Sequence, residues 1–290
     1  MNRIASAAGT LVDHIRINSI KRSEHHGRGV WIKKRRPVAR LILGSANLFF
    51  RLAKAPLRAI GDPLRWQRWE IDCFELLHGG EFHAFAPDPY SAGAEELPGI
   101  NLTIPLDNGT LTPVMAAAAG RELRRAHQCI SPEFAGPWSH GDPHLGNFIY
   151  EAASDRARLI DFEVMHLPSC GATERHADDL LVFLQDMVGR IKAESWLPCA
   201  EAFLTGYNHP ELTHRVLPSK FQEPSWGFAR LWWMVRIGHL PAVQWRARLD
   251  ALQGRLQSGS CPGSGMAPEG PSGLIAITHS ATGCPPRRCS

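Results

Sequence analysis

The chain has 290 residues, a formal net charge of +4, 44% hydrophobic and 21% charged residues, the balance of an ordinary soluble globular protein with length for two lobes or two modest domains. Its seven cysteines include no Cys-x-x-Cys pair, which argues against a zinc site or a disulfide framework and for a reducing compartment. Met1 to Thr10 lacks the apolar core of a signal peptide, and the longest apolar run, Leu41 to Phe50, is too short to cross a bilayer, so a cytoplasmic location is expected.

Asp13 to Ile20 alternates as a half-buried strand does, Ile15 and Ile17 against Arg16 and Asn18. A turn over Ser23 to Gly29 then leads into a second strand, Val30 to Lys33. Basic residues crowd the part before Asp62: Lys33, Lys34, Arg35, Arg36, Arg40, Arg51, Lys54 and Arg58, with hardly an acid among them. Most of these are read as a solvated surface, although such a face suits phosphates, acidic lipid headgroups or nucleic acid. Segment 37–60 is amphipathic, and packing on its own domain is preferred to lying on a membrane surface.

Gly61-Asp62-Pro63 reads as a helix start, and Leu64 to His78 as the helix. Trp66, Glu70, Phe74 and Leu77 share its apolar face, so Glu70 needs a buried partner, and a lysine on the neighbouring strand would supply one. Glu75 falls on another face and is read as surface. A short strand is expected over Glu81 to Pro89, then a loop, and a long helix over Thr112 to Cys129. Further helices are read at Leu180 to Ile191, with His176 to Asp179 as its cap, at Ala200 to Tyr207 and at Phe228 to Arg248. Trp226, Trp232 and Trp233 are read as core rather than as a ring-stacking surface. From Gln257 onward Ser, Gly and Pro dominate, the composition of a disordered tail in which Cys261, Cys284 and Cys289 are incidental.

The most informative stretch is Ser139-His-Gly-Asp-Pro-His-Leu-Gly-Asn-Phe148, a turn-rich loop entering a strand at Asn147 to Tyr150. A polar hairpin turn, Glu151 to Asp155, joins it to a second strand, Arg158 to Phe162. Strands so connected would gather Asp142, Asn147 and Asp161 at one end of a small sheet. Phosphoryl transfer needs a carboxylate to orient the attacking hydroxyl, which suits Asp142. It also needs hard oxygen ligands for Mg²⁺, which suits Asn147 and Asp161.

His140-Gly-Asp-x-His-x-x-Asn147 followed by Ile160-Asp-Phe-Glu163 resembles the protein-kinase-like phosphotransferases of the aminoglycoside and choline kinase type. His-x-Asp-Pro-His-x-Gly-Asn is also similar to atypical kinases linked to quinone biosynthesis. The resemblance implies an α+β, two-lobed fold with a small sheet-containing N-lobe (1–98), a mostly helical C-lobe (99–257) and a tail (258–290). It implies ATP and Mg²⁺, with Lys33, or its neighbour Lys34, on the phosphates and Glu70 paired to that lysine. Glu96 and Gly99 would lie in the segment meeting adenine, His144 would support the catalytic loop, and an Asp of the 178–179 pair would brace it. Gly-x-Gly-x-x-Gly is missing; Gly27 and Gly29 are a weak echo. No Ala-Pro-Glu follows, which favours a small-molecule or glycolipid hydroxyl acceptor. The alternatives are a Ser/Thr protein kinase and a binding-only or membrane-associated quinone-pathway factor contacting a membrane through 37–60. Nucleic acid is not an expected partner.

Overall fold

A computed structural model of the chain describes residues 17–191, 195–225, 227–236 and 240–257. The expectations for residues 13–16, for Trp226 and for the tail with its three cysteines lie outside the described residues.

The chain begins with β1 (Asn18–His25) and β2 (Arg28–Arg35). His26 and Gly27 join them, both at positive φ, 50° and 76°, a turn whose twist matches paired strands. β1 thus runs five residues past the expected end at Ile20, and β1 and β2 together take in all of the segment read as a turn except His26 and Gly27. Next come α1 (Ala39–Leu52), β3 (Leu57–Ala59), α2 (Pro63–His78), β4 (Ala84–Asp88) and β5 (Ser91–Glu95). An antiparallel sheet forms in the order β1-β2-β5-β4, with α2 packed on β4 and β5. β5, read as loop from sequence, is the strand that joins the hairpin to β4. Its Ser-Ala-Gly-Ala-Glu sequence carries no β-branched or aromatic residue, and pairing on both sides creates it.

The second lobe opens with β6 (Ile100–Asn101), α3 (Thr103–Asp107) and α4 (Pro113–Gln128). A small ribbon, β7 (Ile130–Ser131) with β8 (Gly136–Pro137), precedes the loop that carries Asp142. β9 (Phe148–Glu151), β10 (Arg156–Leu159) and β11 (Val164–His166) follow. β9 pairs with both β10 and β6, while β11 pairs back to β3 of the first lobe. Helices complete the chain: α5 (Ala172–Arg190), α6 (Trp196–Tyr207), α7 (Leu217–Lys220), α8 (Gly227–Arg236) and α9 (Ala242–Gln257). The architecture is α+β and two-lobed, a small sheet-containing lobe beside a mostly helical one.

Capping accounts for the helix starts. Asp62 accepts the Arg65 N–H at 2.8 Å before Pro63, and Thr112 stands in the same relation to Met115 before Pro113. One core runs through both lobes, from Trp66 and Phe74 of α2 through Leu123, Trp138, Phe148 and Phe162 to Phe183 and Phe203. Each fully buried large side chain there contributes about 1.5–3 kcal/mol. A smaller cluster joins Leu43 and Phe50 of α1 to Leu57 of β3, so one side of the amphipathic segment packs as expected.

Two helix assignments are corrected. His176 to Asp179 do not cap a helix: α5 begins at Ala172, behind Gly171, and these residues lie inside it, all buried. The 228–248 span is divided into α8 and α9, with Pro241 just before α9, where a helix can begin but not continue. Trp233 is buried; Trp232 meets Phe50 edge-on at 5.1 Å.

Candidate active site

A cavity of about 460 Å³ opens against the sheet of the first lobe. Ile20, Trp31, Ala92, Leu97, Ile100 and Ile149 are among its apolar lining, and Lys33, Glu70, Asn101 and Asp161 among its polar lining. Glu96 and Gly99 line the wall between lobes. The Glu96 carboxylate is occupied by Arg22 Nη2 at 2.7 Å, so its side chain serves the rim. Gly99 has φ +120°, and a Cβ there would lie 2.2 Å from the Tyr150 carbonyl oxygen. Only glycine fits this close passage of the chain over β9.

Period-two alternation on β2 places Trp31, Lys33 and Arg35 on one face. Lys33 Nζ lies 2.7 Å from Glu70 Oε1, 2.7 Å from Asp161 Oδ1 and 3.3 Å from Glu163 Oε1. The partner expected for Glu70 is therefore present. Burial lowers the lysine's pKa, but the three carboxylates outweigh it and raise it above the usual range. Lys34, the alternative, points away: it is exposed and faces Asp88 at 3.5 Å.

The three carboxylates differ in kind. Burial pushes Asp161 up, but Lys33 outweighs that and holds it ionised, below the usual range. Burial raises Glu70 despite Lys33. Glu163 is pushed up to about 7, by burial first and then by Asp161 and Glu70 against the pull of Lys33 and Arg35. Asn18 donates a hydrogen bond to Glu163 Oε1, and Arg35 Nη1 stands 3.7 Å from Oε2. The Arg35 guanidinium lies 4.2 Å over the Trp66 ring and donates to the Ile60 carbonyl at 3.2 Å. Asn18, expected on the polar side of its strand, and Arg35, grouped with basic residues read mostly as solvated surface, are instead buried, and the Glu163 contact had no assigned role. For Arg35 the available signal was its place two residues from Lys33.

The loop carrying Asp142 is held from below. Asp179 Oδ2 accepts the His140 N–H at 2.8 Å and Oδ1 the Gly141 N–H at 2.8 Å, while His127 Nε2 lies 2.9 Å from Oδ2. Burial would raise the Asp179 carboxyl, but His166 and the His127 hydrogen bond hold it down at about 2. Gly141 has φ +94°, and a Cβ would come within 3.0 Å of the Val164 carbonyl oxygen, so the turn before Asp142 requires glycine. His140 Nε2 donates to the Ile160 carbonyl at 3.1 Å, leaving Nδ1 to accept the Asp142 N–H at 3.3 Å. This ties the loop to the segment bearing Asp161. His144 Nδ1 accepts the Gly146 N–H at 3.0 Å, a contact within its own turn.

Asn147 Nδ2 donates to the Asp142 carbonyl at 2.8 Å, leaving Oδ1 as the acceptor atom of that side chain. Asp161 sits past the end of β10 at φ +66°, a left-handed conformation that costs a non-glycine residue about 1–2 kcal/mol. The Lys33 contact and the Glu163–Lys33–Arg35 group around it hold it there. The structure thus brings Lys33, Glu70 and Asp161 together in the cavity lining, and ties Asn147 to the Asp142 carbonyl and to the Ile160 N–H beside Asp161.

The similarity of this chain to solved structures is low, with 17% identity or less in each of the three that follow. A structure of Rv3197 with erythromycin from Mycobacterium tuberculosis is 15% identical with a TM-score of 0.39, covering 63% of this chain and 51% of that one. Plasmodium vivax ethanolamine kinase is 9% identical with a TM-score of 0.41, over 87% of this chain and 85% of that one. The bifunctional kinase-methyltransferase WbdD is 17% identical with a TM-score of 0.37, over 85% and 49%. This chain spans about half the length of the first and third. No protein-family model matches it, and neither does any curated protein sequence.

Proposed function

We propose that the chain is an ATP-dependent phosphotransferase that moves a γ-phosphoryl group to the hydroxyl of a small molecule or glycolipid. The observation that carries this reading is Lys33, fixed between Glu70 and Asp161 in the lining of a largely apolar cavity. The apolar lining suits a purine ring, and the Lys33 group its phosphates. Lys33 would neutralise phosphate charge, and Glu70 would keep its ammonium in place.

The donor set suits Mg²⁺: the Asp161 carboxylate and Asn147 Oδ1 are hard oxygen ligands. Among the described residues no group of three or more His, Cys, Asp or Glu is arranged around a metal position. An ion held by two side chains would complete its shell with phosphate oxygens and water. Its chemistry there is to draw charge from the phosphates as the transferred group departs. Asp142 would orient the acceptor hydroxyl and take its proton, on a loop that hydrogen bonds from Asp179, His140 and Asn147 brace. Catalysis of this kind is positioning and charge neutralisation.

The test is Mg²⁺-dependent ATP turnover against pooled hydroxyl acceptors, for the parent and Asp142→Ala. The expected outcome is acceptor-stimulated turnover in the parent that falls by about 10²–10⁴ in the variant. Stimulation by a protein pool alone, with phosphate on Ser or Thr, would move the assignment to a protein kinase. Tight nucleotide binding with no turnover in any pool would reduce it to a binding role.

A further inference from the structure

Helix α1 has two apolar sides, and only one meets the protein. Ala39, Leu43 and Phe50 are buried. Val38, Leu41, Leu48 and Leu52 stand 50%, 75%, 55% and 49% exposed, at intervals of three, seven and four residues that put them on one stripe. Arg40 and Arg51 are eleven residues apart, about three turns, and border that stripe along one edge. Arg36 and Lys54 stand near its two ends.

The surroundings reinforce the pattern. No acid occurs between Trp31 and Gly61. Of the eight basic residues there, Lys33 and Arg35 belong to the cavity cluster, Lys34 faces Asp88 and Arg58 pairs with Glu133. Arg36, Arg40, Arg51 and Lys54 make no ion pair among the described residues and are exposed. Beside the stripe, Phe228 of α8 is 47% exposed with its ring 6.2 Å from Phe49, and Leu231 is 43% exposed. Single exposed leucines need no explanation, but a contiguous patch edged with unpaired cations does.

We infer that the outer face of α1, widened by the start of α8, docks this protein on an anionic lipid bilayer. Four aliphatic side chains in one line can enter the acyl boundary while the flanking arginines meet lipid phosphates in the headgroup layer. A nucleic acid would leave the leucines unserved, and a neutral apolar partner would leave the cations so. Among the described residues no helix is long and apolar enough to cross a membrane, so the contact is peripheral. The buried side of the same helix is joined to the loop. Phe50 abuts Trp232, the Arg236 guanidinium stacks 4.8 Å over Trp232, and Arg236 binds Asp178 at 3.0 and 3.1 Å, next to the Asp179 that holds His140 and Gly141.

The experiment is co-sedimentation of the full chain with phosphatidylcholine vesicles and with vesicles also containing phosphatidylglycerol, at low and high salt. The parent is expected to bind the anionic vesicles at least about tenfold more tightly, and to lose that preference in high salt. Leu41→Asp with Leu48→Asp, and separately Arg40→Glu with Arg51→Glu, should each abolish binding. All four side chains are exposed, and melting curves check that each variant folds; if the aspartate pair unfolds, the arginine pair decides. A parent that ignores anionic vesicles, or charge-reversed variants that bind as the parent does, would overturn the inference. A parent that instead dimerises in solution, and becomes monomeric on Leu48→Asp without binding vesicles, would reassign the face to self-association. Neither result depends on phosphotransfer activity.

Discussion

Lys33 Nζ and Asp161 Oδ1 meet at 2.7 Å although 128 residues separate them in the chain. The contact joins the sheet of the first lobe to the segment after β10 in the second. It also holds Asp161 ionised and in its left-handed conformation. Replacing the lysine leaves Glu70, Asp161 and Glu163 facing one another without their shared cation. Lys33→Met is expected to lower kcat/KM for ATP by about 10²–10³, with weaker nucleotide binding by calorimetry. Lys34→Met, on an exposed side chain turned to Asp88, should leave both near the parent values.

Asp179 is fully buried and accepts two backbone N–H groups of the loop preceding Asp142. Asp179→Ala orphans both donors and the His127 ring, and each hydrogen bond to a charged group is worth about 1.5–3 kcal/mol. A loss of about 3 kcal/mol in denaturant-unfolding free energy is expected, with turnover reduced in the fraction that stays folded. A stability within about 0.5 kcal/mol of the parent would show that the loop keeps its shape without this acid.

The Glu163 carboxyl, raised to about 7, makes a signed contribution to pH dependence. A folded pKa above the unfolded one means the folded state binds the proton more tightly. Its stabilisation is complete below the unfolded value and is lost as pH rises through about 7. Glu163→Gln removes this component, so the stability difference between variant and parent should change between pH 5 and about 7 and level off above. Thermal melts of both proteins across that range check it. A flat difference would place the Glu163 pKa near its ordinary value.

His176 and His78 act in the opposite direction. Burial lowers them to about 3 and about 4; His176 stacks on His127 at 3.8 Å, and His78 Nε2 donates to the Leu159 carbonyl at 2.8 Å. The stability each contributes is complete above the ordinary histidine pKa and is lost as pH falls through the folded value. Replacing His176 with Gln should make the melting temperature less sensitive to acid between pH 6 and pH 4.

Helices α4 and α6 cross at two glycines. A Cβ on Gly120 would lie 2.1 Å from the Phe203 carbonyl oxygen, and one on Gly206 2.2 Å from that of Ala117. These are backbone atoms within helices and cannot move aside alone. Either glycine changed to alanine is expected to cost about 1–3 kcal/mol, although alanine has the higher helix propensity. Denaturant midpoints would reveal the sign: a stabilised variant would mean that the helices separate at little cost.

Local patterns carried much of this protein in the sequence itself. Asp62-Pro63 and Thr112-Pro113 announce two helices, because a cap and a fixed φ act within one turn. The His140 to Glu163 segment announces its loop and paired strands, because turn chemistry and alternation are local too, although the second strand is Arg156–Leu159 and not Arg158 to Phe162, and ends before Asp161. Glu70 could be picked out as a buried acid in need of a cation, since helical periodicity places it among Trp66 and Phe74. Only the tertiary structure decided which partners such groups find. Asp179 resembles a cap by its neighbours, yet α5 extends beyond it and turns it toward the Asp142 loop. β5 lacks the residues that favour a strand and exists because strands on either side pair with it. Glu163, Asn18 and Arg35 converge across the lobes, a result of packing over separations far longer than any periodic signal. The same packing buries one side of α1 and leaves its leucines in the open, a distinction that an amphipathic pattern cannot make alone.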